Sequence, residues 1–238
     1  NILTLLALAS GLTAMRFAFQ ERWELSAFAI AVAAIFDTLD GRIARLLKGA
    51  SKFGAELDSL SDFVCFGVAP AMILYLWAMQ DAGRGAWVLV MLFAMCTGLR
   101  LARFNVALED ENAPDWKRHF FSGAPAPAGA GLVLLPMVLS FQVGDDFFRS
   151  PWVVSGFLFC VGALLVSSIP TYSFKKVVIP RHRFLVTMLS VALIIALITS
   201  VPWLALSVIL GLYMISMVFS FRAHRRFKSG EKKDMEID

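Results

Sequence analysis

Residues 37–62 read DTLDGRIARLLKGASKFGAELDSLSD. The aspartates of this stretch, Asp37, Asp40, Asp58 and Asp62, lie in or beside segments that are otherwise apolar enough to span a membrane. A charged side chain in hydrocarbon costs about 3 kcal/mol even on a lenient insertion scale. Carboxylates of the same sign also repel one another, so the group is stable only if a cation neutralises it. Because Mg²⁺, Mn²⁺ and Ca²⁺ favour oxygen ligands, the stretch predicts a divalent-metal site.

The spacing places the acidic side chains on one face of each of two helices. On the first helix, positions i, i+3, i+4, i+7 and i+8 are Asp37, Asp40, Gly41, Ala44 and Arg45. On the second helix, positions i, i+4 and i+8 are Gly54, Asp58 and Asp62. Residues 46–53 predict a short turn, so the helices are expected to be antiparallel neighbours whose acidic faces meet. The small residues leave these faces bare, so a ligand can approach the backbone.

The composition is that of a membrane protein. Of the 238 residues, 58% are hydrophobic, and the mean hydropathy is +0.71, whereas a soluble domain is nearer ~45–50% apolar. The net charge of +4 comes from basic residues between apolar runs. This pattern fits membrane topology and phosphate-bearing lipids better than nucleic acid. We predict one transmembrane catalytic domain over residues 1–222 and a charged cytosolic tail over 223–238.

Eight apolar segments approach the ~20 residues that a spanning helix needs. The predicted fold class is therefore all-α, a polytopic membrane helix bundle of about eight transmembrane helices. The first segment lacks a small-residue cleavage site and is expected to be a spanning helix, not a signal peptide. The segments are Ile2–Phe19, Leu25–Leu47, Asp58–Met79, Ala86–Ala107, Pro125–Val143, Pro151–Ser168, Phe184–Ser200 and Pro202–Phe221.

The basic residues predict the orientation. They concentrate on the side of the turn that contains Lys48, and the opposite side holds Arg22, Arg84 and Arg149. The positive-inside rule then places the acidic cluster and both termini in the cytosol. Short loops and the lack of a targeting segment favour a prokaryotic inner membrane.

Several basic and polar residues fall on the same predicted side as the acidic cluster. Acidic metal ligands ringed by arginine and lysine at the headgroup level suggest a metal–phosphate site, in which arginine binds the remaining phosphate oxygens. The candidates for binding the acceptor or the lipid phosphate are Arg100, Arg103, Asn105, Lys175 and Lys176.

One pattern in the sequence resembles, without a gap, the signature of the CDP-alcohol phosphotransferase family. It is Asp37-x2-Asp40-Gly41-x2-Ala44-Arg45-x8-Gly54-x3-Asp58-x3-Asp62. Other stretches resemble the phosphatidylserine synthase branch of that family. They are NILTLLALASG at the start, FGAELDSLSDFVCFGVAPA (53–71), GLRLARFNV (98–106), FFSGAPAPAGAG (120–131) and PTYSFKKV (170–177). Cys65 departs from the serine expected at its position.

The resemblance implies a CDP-alcohol phosphotransferase fold and transfer of the phosphatidyl group from CDP-diacylglycerol to L-serine. It implies that Asp37, Asp40 and Asp58 bind Mg²⁺ or Mn²⁺ (Ca²⁺ is possible in crystals), with Asp62 nearby as a ligand or base. It also implies a homodimer in membrane lipid. The residues implied to bind the CDP-lipid are Asp37, Gly41, Ala44, Arg45, Gly54 and Asp58.

The chemistry of the residues agrees with this implication. Attack on a pyrophosphate needs its charge neutralised, its leaving group stabilised and its nucleophile deprotonated. Asp62, one turn beyond Asp58, is the candidate general base for the serine hydroxyl.

Alternative interpretations stay open for several residues. The aspartates could be solvated helix-end charges, and Gly41, Ala44 and Gly54 could serve helix packing. The arginines and lysines could be membrane anchors. Another acceptor, such as glycerol 3-phosphate or an inositol phosphate, would use the same fold and chemistry. A cation transporter would also bury acidic residues, but such proteins usually have repeated halves, and the sequence has no internal repeat.

Overall fold

A computed structural model of the chain describes residues 1–46, 51–109, 121–122, 125–167, 170–171, 188–189, 196–197 and 199–216. The chain divides into two compact units. The first contains residues 1–109 and 125–166, and the second contains residues 110–124 and 167–238. All four aspartates of the acidic stretch belong to the first unit, whose helices position the candidate site.

The first unit consists of helices that follow the apolar runs of the sequence. Charged and glycine-containing turns separate them, as expected where a chain leaves a membrane. The helices are α1 (Ile2–Phe19), α2 (Trp23–Leu46), α3 (Lys52–Asp62), a π-helical segment (Phe63–Val68), α4 (Ala69–Leu74), a second π-helical segment (Tyr75–Met79), α5 (Arg84–Glu109), α6 (Ala126–Val143), α7 (Asp145–Phe148) and α8 (Pro151–Val166).

The third span, Phe53–Met79, runs through α3, α4 and both π-helical segments. It begins earlier than the predicted Asp58, because Ser51 caps α3 by accepting a hydrogen bond from the Gly54 amide at 3.0 Å. Behind Asp62 the helix widens into the first π-helical segment, a feature that is frequent at functional sites. A Cβ added to Gly11 of α1 would lie 2.6 Å from the Cys65 sulfur, so this segment packs closely on α1.

The core of the first unit surrounds the later part of the third span. Phe66, Ile73 and Leu74 are almost completely buried, and α6 is buried along most of its length. By contrast, Leu5 and Leu12 of α1 are about half exposed. Exposed leucines on apolar helices are expected to face lipid, which is as apolar as the leucine side chain.

The helices confirm the predicted all-α membrane fold. Among the described residues, four helices are long and apolar enough to cross a membrane: Ile2–Phe19, Phe53–Met79, Arg84–Val106 and Ala126–Val143. Helix α2 has the length, but it contains Glu24, Asp37 and Asp40. The count of eight stays a prediction, because most of Phe184–Ser200 lies outside the described residues.

The second unit is described in part. Strand β1 (Phe121–Ser122) pairs antiparallel with β2 (Pro170–Thr171), so Phe121 lies opposite Thr171. Helix α9 (Pro202–Ser216) begins after the break predicted at Val201, which interrupts the preceding helical residues. The tail 223–238 lies outside the described residues, and the domain boundary at residue 222 stays a prediction.

Candidate active site

Three carboxylates from two helices meet at one point. Asp37 of α2 and Asp58 and Asp62 of α3 each offer one oxygen, and these oxygens all lie within 4.8 Å of one another. We call Asp37, Asp58 and Asp62 the carboxylate trio; each of these residues is half-buried. Because α2 ends at Leu46 and α3 begins at Lys52, the acidic faces meet across a short connection, as the spacing predicts.

The trio has the chemistry of a divalent-metal site. Two oxygens on opposite sides of an ion are about 4.2 Å apart for Mg²⁺ and about 5 Å apart for Ca²⁺. Oxygens within 4.8 Å of one another can therefore share an ion after small side-chain shifts. Without a cation, two charges at about 4 Å repel by about 4 kcal/mol at the effective dielectric of a protein surface. Hard, oxygen-preferring cations are the ions that such a donor set selects.

Asp40, the fourth predicted ligand, has a different environment. It is not one of the trio, and its carboxylate oxygen Oδ2 accepts a hydrogen bond from the hydroxyl of Thr4 on α1. The Thr4 residue is only 1% exposed. Of the four aspartates predicted to bind metal, the fold thus brings three together and holds the fourth against α1.

Polar contacts fix α3 from two sides. On the α5 side, the Asn105 amide donates to the Ser59 hydroxyl at 2.9 Å, next to Asp58 in the sequence. On the α1 side, the Ser61 hydroxyl donates to the Thr4 carbonyl at 3.2 Å. Sequence reasoning assigned no role to Thr4, Ser59 or Ser61. The sequence feature that could have indicated a role is that these three polar residues lie beside or within apolar runs.

The glycines predicted to bind the CDP-lipid border the acidic faces. Gly41 follows Asp40 on an exposed part of α2. Gly54 lies in the first turn of α3, where an added Cβ would lie 2.9 Å from the Asn1 side-chain oxygen. Ala44 and Arg45 belong to α2, but their side chains are outside the described part of the chain.

The predicted phosphate-binding residues separate into different environments. Arg100 of α5 is half-buried, and its charge acts on the Asp62 carboxyl. Arg103 instead donates from Nη1 to the carbonyl of Val166 at 2.8 Å, at the C-terminal end of α8, where the helix dipole favours a cation. Lys175 and Lys176 lie outside the described residues.

The chain is similar to a known protein family and to named relatives. The family description "CDP-alcohol phosphatidyltransferase" matches residues 1–168 of the chain. A CDP-diacylglycerol–serine O-phosphatidyltransferase of Mycobacterium tuberculosis (strain CDC 1551 / Oshkosh) is 39% identical over 225 residues, 94% of this chain and 78% of the relative. The protein of that name from Helicobacter pylori (strain J99 / ATCC 700824) is 34% identical over 215 residues, 90% of this chain and 87% of the relative. The family match includes the whole trio and its polar neighbours from α1 and α5.

Proposed function

The chain belongs to the CDP-alcohol phosphatidyltransferase family, and we propose that it transfers the phosphatidyl group of CDP-diacylglycerol to L-serine, giving phosphatidylserine and CMP. The observation that carries the proposal is the meeting of Asp37, Asp58 and Asp62 within 4.8 Å, inside the family match. Relatives named for this reaction are 34–39% identical over most of the chain, which favours L-serine over the other acceptors.

The acidic residues have separate roles in this proposal. Asp37, Asp40 and Asp58 hold the divalent ion, which is Mg²⁺ or Mn²⁺, and Asp62 contributes as a neighbouring ligand or base. The bound ion supplies neutralisation of the pyrophosphate charge and stabilisation of the leaving group. The proximity of the carboxylate oxygens supports the role of Asp37 and Asp58, which with Asp62 lie close enough together to share a cation. The role of Asp40 rests on the family resemblance.

Asp62 is the general base. The serine hydroxyl oxygen forms a bond to the lipid-side phosphorus, while the bond from that phosphorus to the oxygen of CMP breaks. The hydroxyl proton passes to Asp62, and CMP leaves with the electron pair of the broken bond. The position of Asp62 supports this role, since it ends α3 one turn beyond Asp58, in contact with Asp37.

The bare faces of α2 and α3 bind the CDP part of the donor. Gly41, Ala44 and Gly54 let the nucleotide approach the backbone, and Arg45 binds its phosphate oxygens. The exposure of Gly41 supports a close approach at that position. The Asn1 side chain lies beside Gly54, so a nucleotide at Gly54 would have to displace it.

Arg100 is the best supported of the acceptor-binding residues. Its charge already acts on Asp62, so a serine carboxylate bound to Arg100 would lie close to the proposed base. Arg103 and Asn105 also remain candidates, but each would have to exchange a hydrogen bond, to Val166 or to Ser59, for one to the substrate. Lys175 and Lys176 complete the proposed set.

The protein works in a membrane as a homodimer, with its site open to the cytosol and, in a prokaryote, in the inner membrane. The excess of basic residues on the side of the α2–α3 connection supports this orientation. Dimerisation rests on the family resemblance, and cross-linking in native membranes measures it directly.

The acceptor is tested by CMP release from CDP-diacylglycerol, measured with purified protein and Mn²⁺. The acceptors compared are L-serine, glycerol 3-phosphate, inositol 1-phosphate and none. We expect CMP release that requires L-serine, with phosphatidylserine as the lipid product. Release with another acceptor would move the chain to a sister activity. A lack of release with every acceptor, combined with metal flux into proteoliposomes, would favour a transporter and contradict the proposal.

A further inference from the structure

Thr4 differs from the other hydroxyl residues of α1. Ser10 and Thr13 donate to carbonyls four residues earlier in the same helix, at 2.8 Å and 2.7 Å, which is the ordinary behaviour of such residues in an apolar helix. Thr4 instead donates across to α2, to the carboxylate of Asp40. Because the residue is only 1% exposed, water does not compete for this hydroxyl.

The same residue also contacts the second acidic helix. The carbonyl oxygen of Thr4 accepts a hydrogen bond from the hydroxyl of Ser61, which is 3% exposed and directly precedes Asp62. One turn further along, the Cys65 thiol donates to the carbonyl of Ala7 at 3.3 Å. Thr4 thus connects α1 to both helices that carry the acidic residues, through its side chain on one and its carbonyl on the other.

We propose that Thr4 is a positioning residue that fixes the Asp40 carboxylate, and with it the α1–α2–α3 contact, for divalent-metal binding. The inference rests on the proposed function. The Thr4 hydroxyl binds Oδ2 of Asp40 and so sets the rotation of the carboxylate, whose other oxygen, Oδ1, lies 3.7 Å from the amino group of Asn1. An ion at Oδ1 would take the place of that amino group. Partners of this kind, behind a metal ligand, are worth about 10- to 100-fold in metal affinity.

The test compares Mn²⁺ affinity in three variants of the full chain in detergent. Thr4→Val keeps the shape of the side chain and removes its hydroxyl, Thr4→Ser keeps the hydroxyl, and Thr13→Val is the matched control on the same helix. Free Mn²⁺ is measured by electron paramagnetic resonance during titration of folded protein, so the readout does not depend on turnover.

We expect Thr4→Val to weaken Mn²⁺ binding roughly 10-fold, with Thr4→Ser and Thr13→Val within about 3-fold of the wild type. Thr4→Ala serves in the same way if Thr4→Val does not fold. The Thr4 substitution should have little further effect in an Asp40→Asn background, because the two residues act together.

Two results overturn the inference in distinguishable ways. Wild-type Mn²⁺ affinity in Thr4→Val or Thr4→Ala would reduce Thr4 to a packing residue and leave the proposed function intact. A wild-type protein that binds no Mn²⁺ and releases CMP in EDTA would overturn the metal role itself, and the inference with it.

Discussion

The two ends of the third span are built differently. At the α3 end, Asp58 and Asp62 are half-buried and face another carboxylate, and Ser59 and Ser61 bind neighbouring helices. At the far end, Ile73 is fully buried in an apolar core. The third span therefore serves two purposes. Its far end packs in the core of the bundle, and its α3 end carries charges that packing alone would not stabilise.

Charged residues at the far end sharpen this contrast. Asp145 pairs with Arg149 at 3.2 Å, and Arg149 also donates to the carbonyl of Trp77 at 2.9 Å. Asp145 thus faces an opposite charge, whereas Asp37 and Asp62 face each other. Asp145 is compensated by an opposite charge, whereas the carboxylates of the trio lie close to like charges, an arrangement that is typical of functional sites.

The largest expected effect is that of Asp62→Asn at the α3 end. Loss of a general base costs about 10²- to 10⁴-fold in rate, so CMP release should fall by roughly 1,000-fold. Binding of CDP-diacylglycerol, measured by equilibrium titration, should remain. Asp146→Asn, an exposed aspartate at the far end, is the control and should change neither quantity. Lost donor binding in Asp62→Asn would make this residue chiefly a ligand.

The second effect concerns the far end. Ile73→Ala removes a fully buried side chain and should lower the free energy of unfolding by about 2 kcal/mol, mainly through the cavity that it leaves. Thermal unfolding in detergent measures the loss, and activity per folded molecule should stay within about twofold of the wild type. Ile209→Ala, at a residue that is 48% exposed, is the matched control. A large loss of activity in folded Ile73→Ala protein would contradict the claim that the far end serves stability and the α3 end serves function.

A smaller effect is expected at the contact between α3 and α5. Ser59→Ala removes both hydrogen bonds to Asn105, each worth about 1 kcal/mol. Because these bonds hold the turn that carries Asp58, CMP release should fall severalfold with a modest change in stability. Ser10→Ala, which removes only a bond within α1, is the control. Equal activity in the two variants would show that α5 does not help to position α3.

The smallest effect is expected for Arg149→Ala. The exposed ion pair contributes about 0.2–1 kcal/mol, and the hydrogen bond to the Trp77 carbonyl contributes about 1 kcal/mol more. The melting temperature should therefore decrease, and serine-dependent CMP release should not change. Arg84→Ala, at the same end, provides the comparison. A loss of activity in Arg149→Ala alone would extend the functional region to the far end and contradict the contrast.

The contrast was only partly predictable from the sequence. Hydropathy located the spans, since α1 matches the predicted Ile2–Phe19, and helical spacing predicted that the faces of Asp37 and Asp58 would meet. Hydropathy and helical spacing are both properties of short stretches of sequence. The π-helical segment Phe63–Val68 was not predicted, because it packs against α1 through a close approach between Gly11 and Cys65.

Side-chain partners far apart in sequence were also beyond prediction. The bond from Thr4 to Asp40 joins residues 36 positions apart, and the bond from Arg103 to Val166 joins residues 63 positions apart. Helical spacing grouped Asp40 with Asp37, but it contains no information on which neighbouring helix supplies a partner. Such partners depend on how whole helices pack.

The most direct test of the central claim is a parallel titration of Mn²⁺ binding and serine-dependent CMP release on one preparation of the wild-type protein. If Asp37 and Asp58 of the carboxylate trio hold the ion used in the transfer, both quantities should saturate over the same range of Mn²⁺ concentration. Both should be lost together in Asp58→Asn. Full CMP release in EDTA, or Mn²⁺ binding that survives in Asp58→Asn without any loss of affinity, would contradict the account.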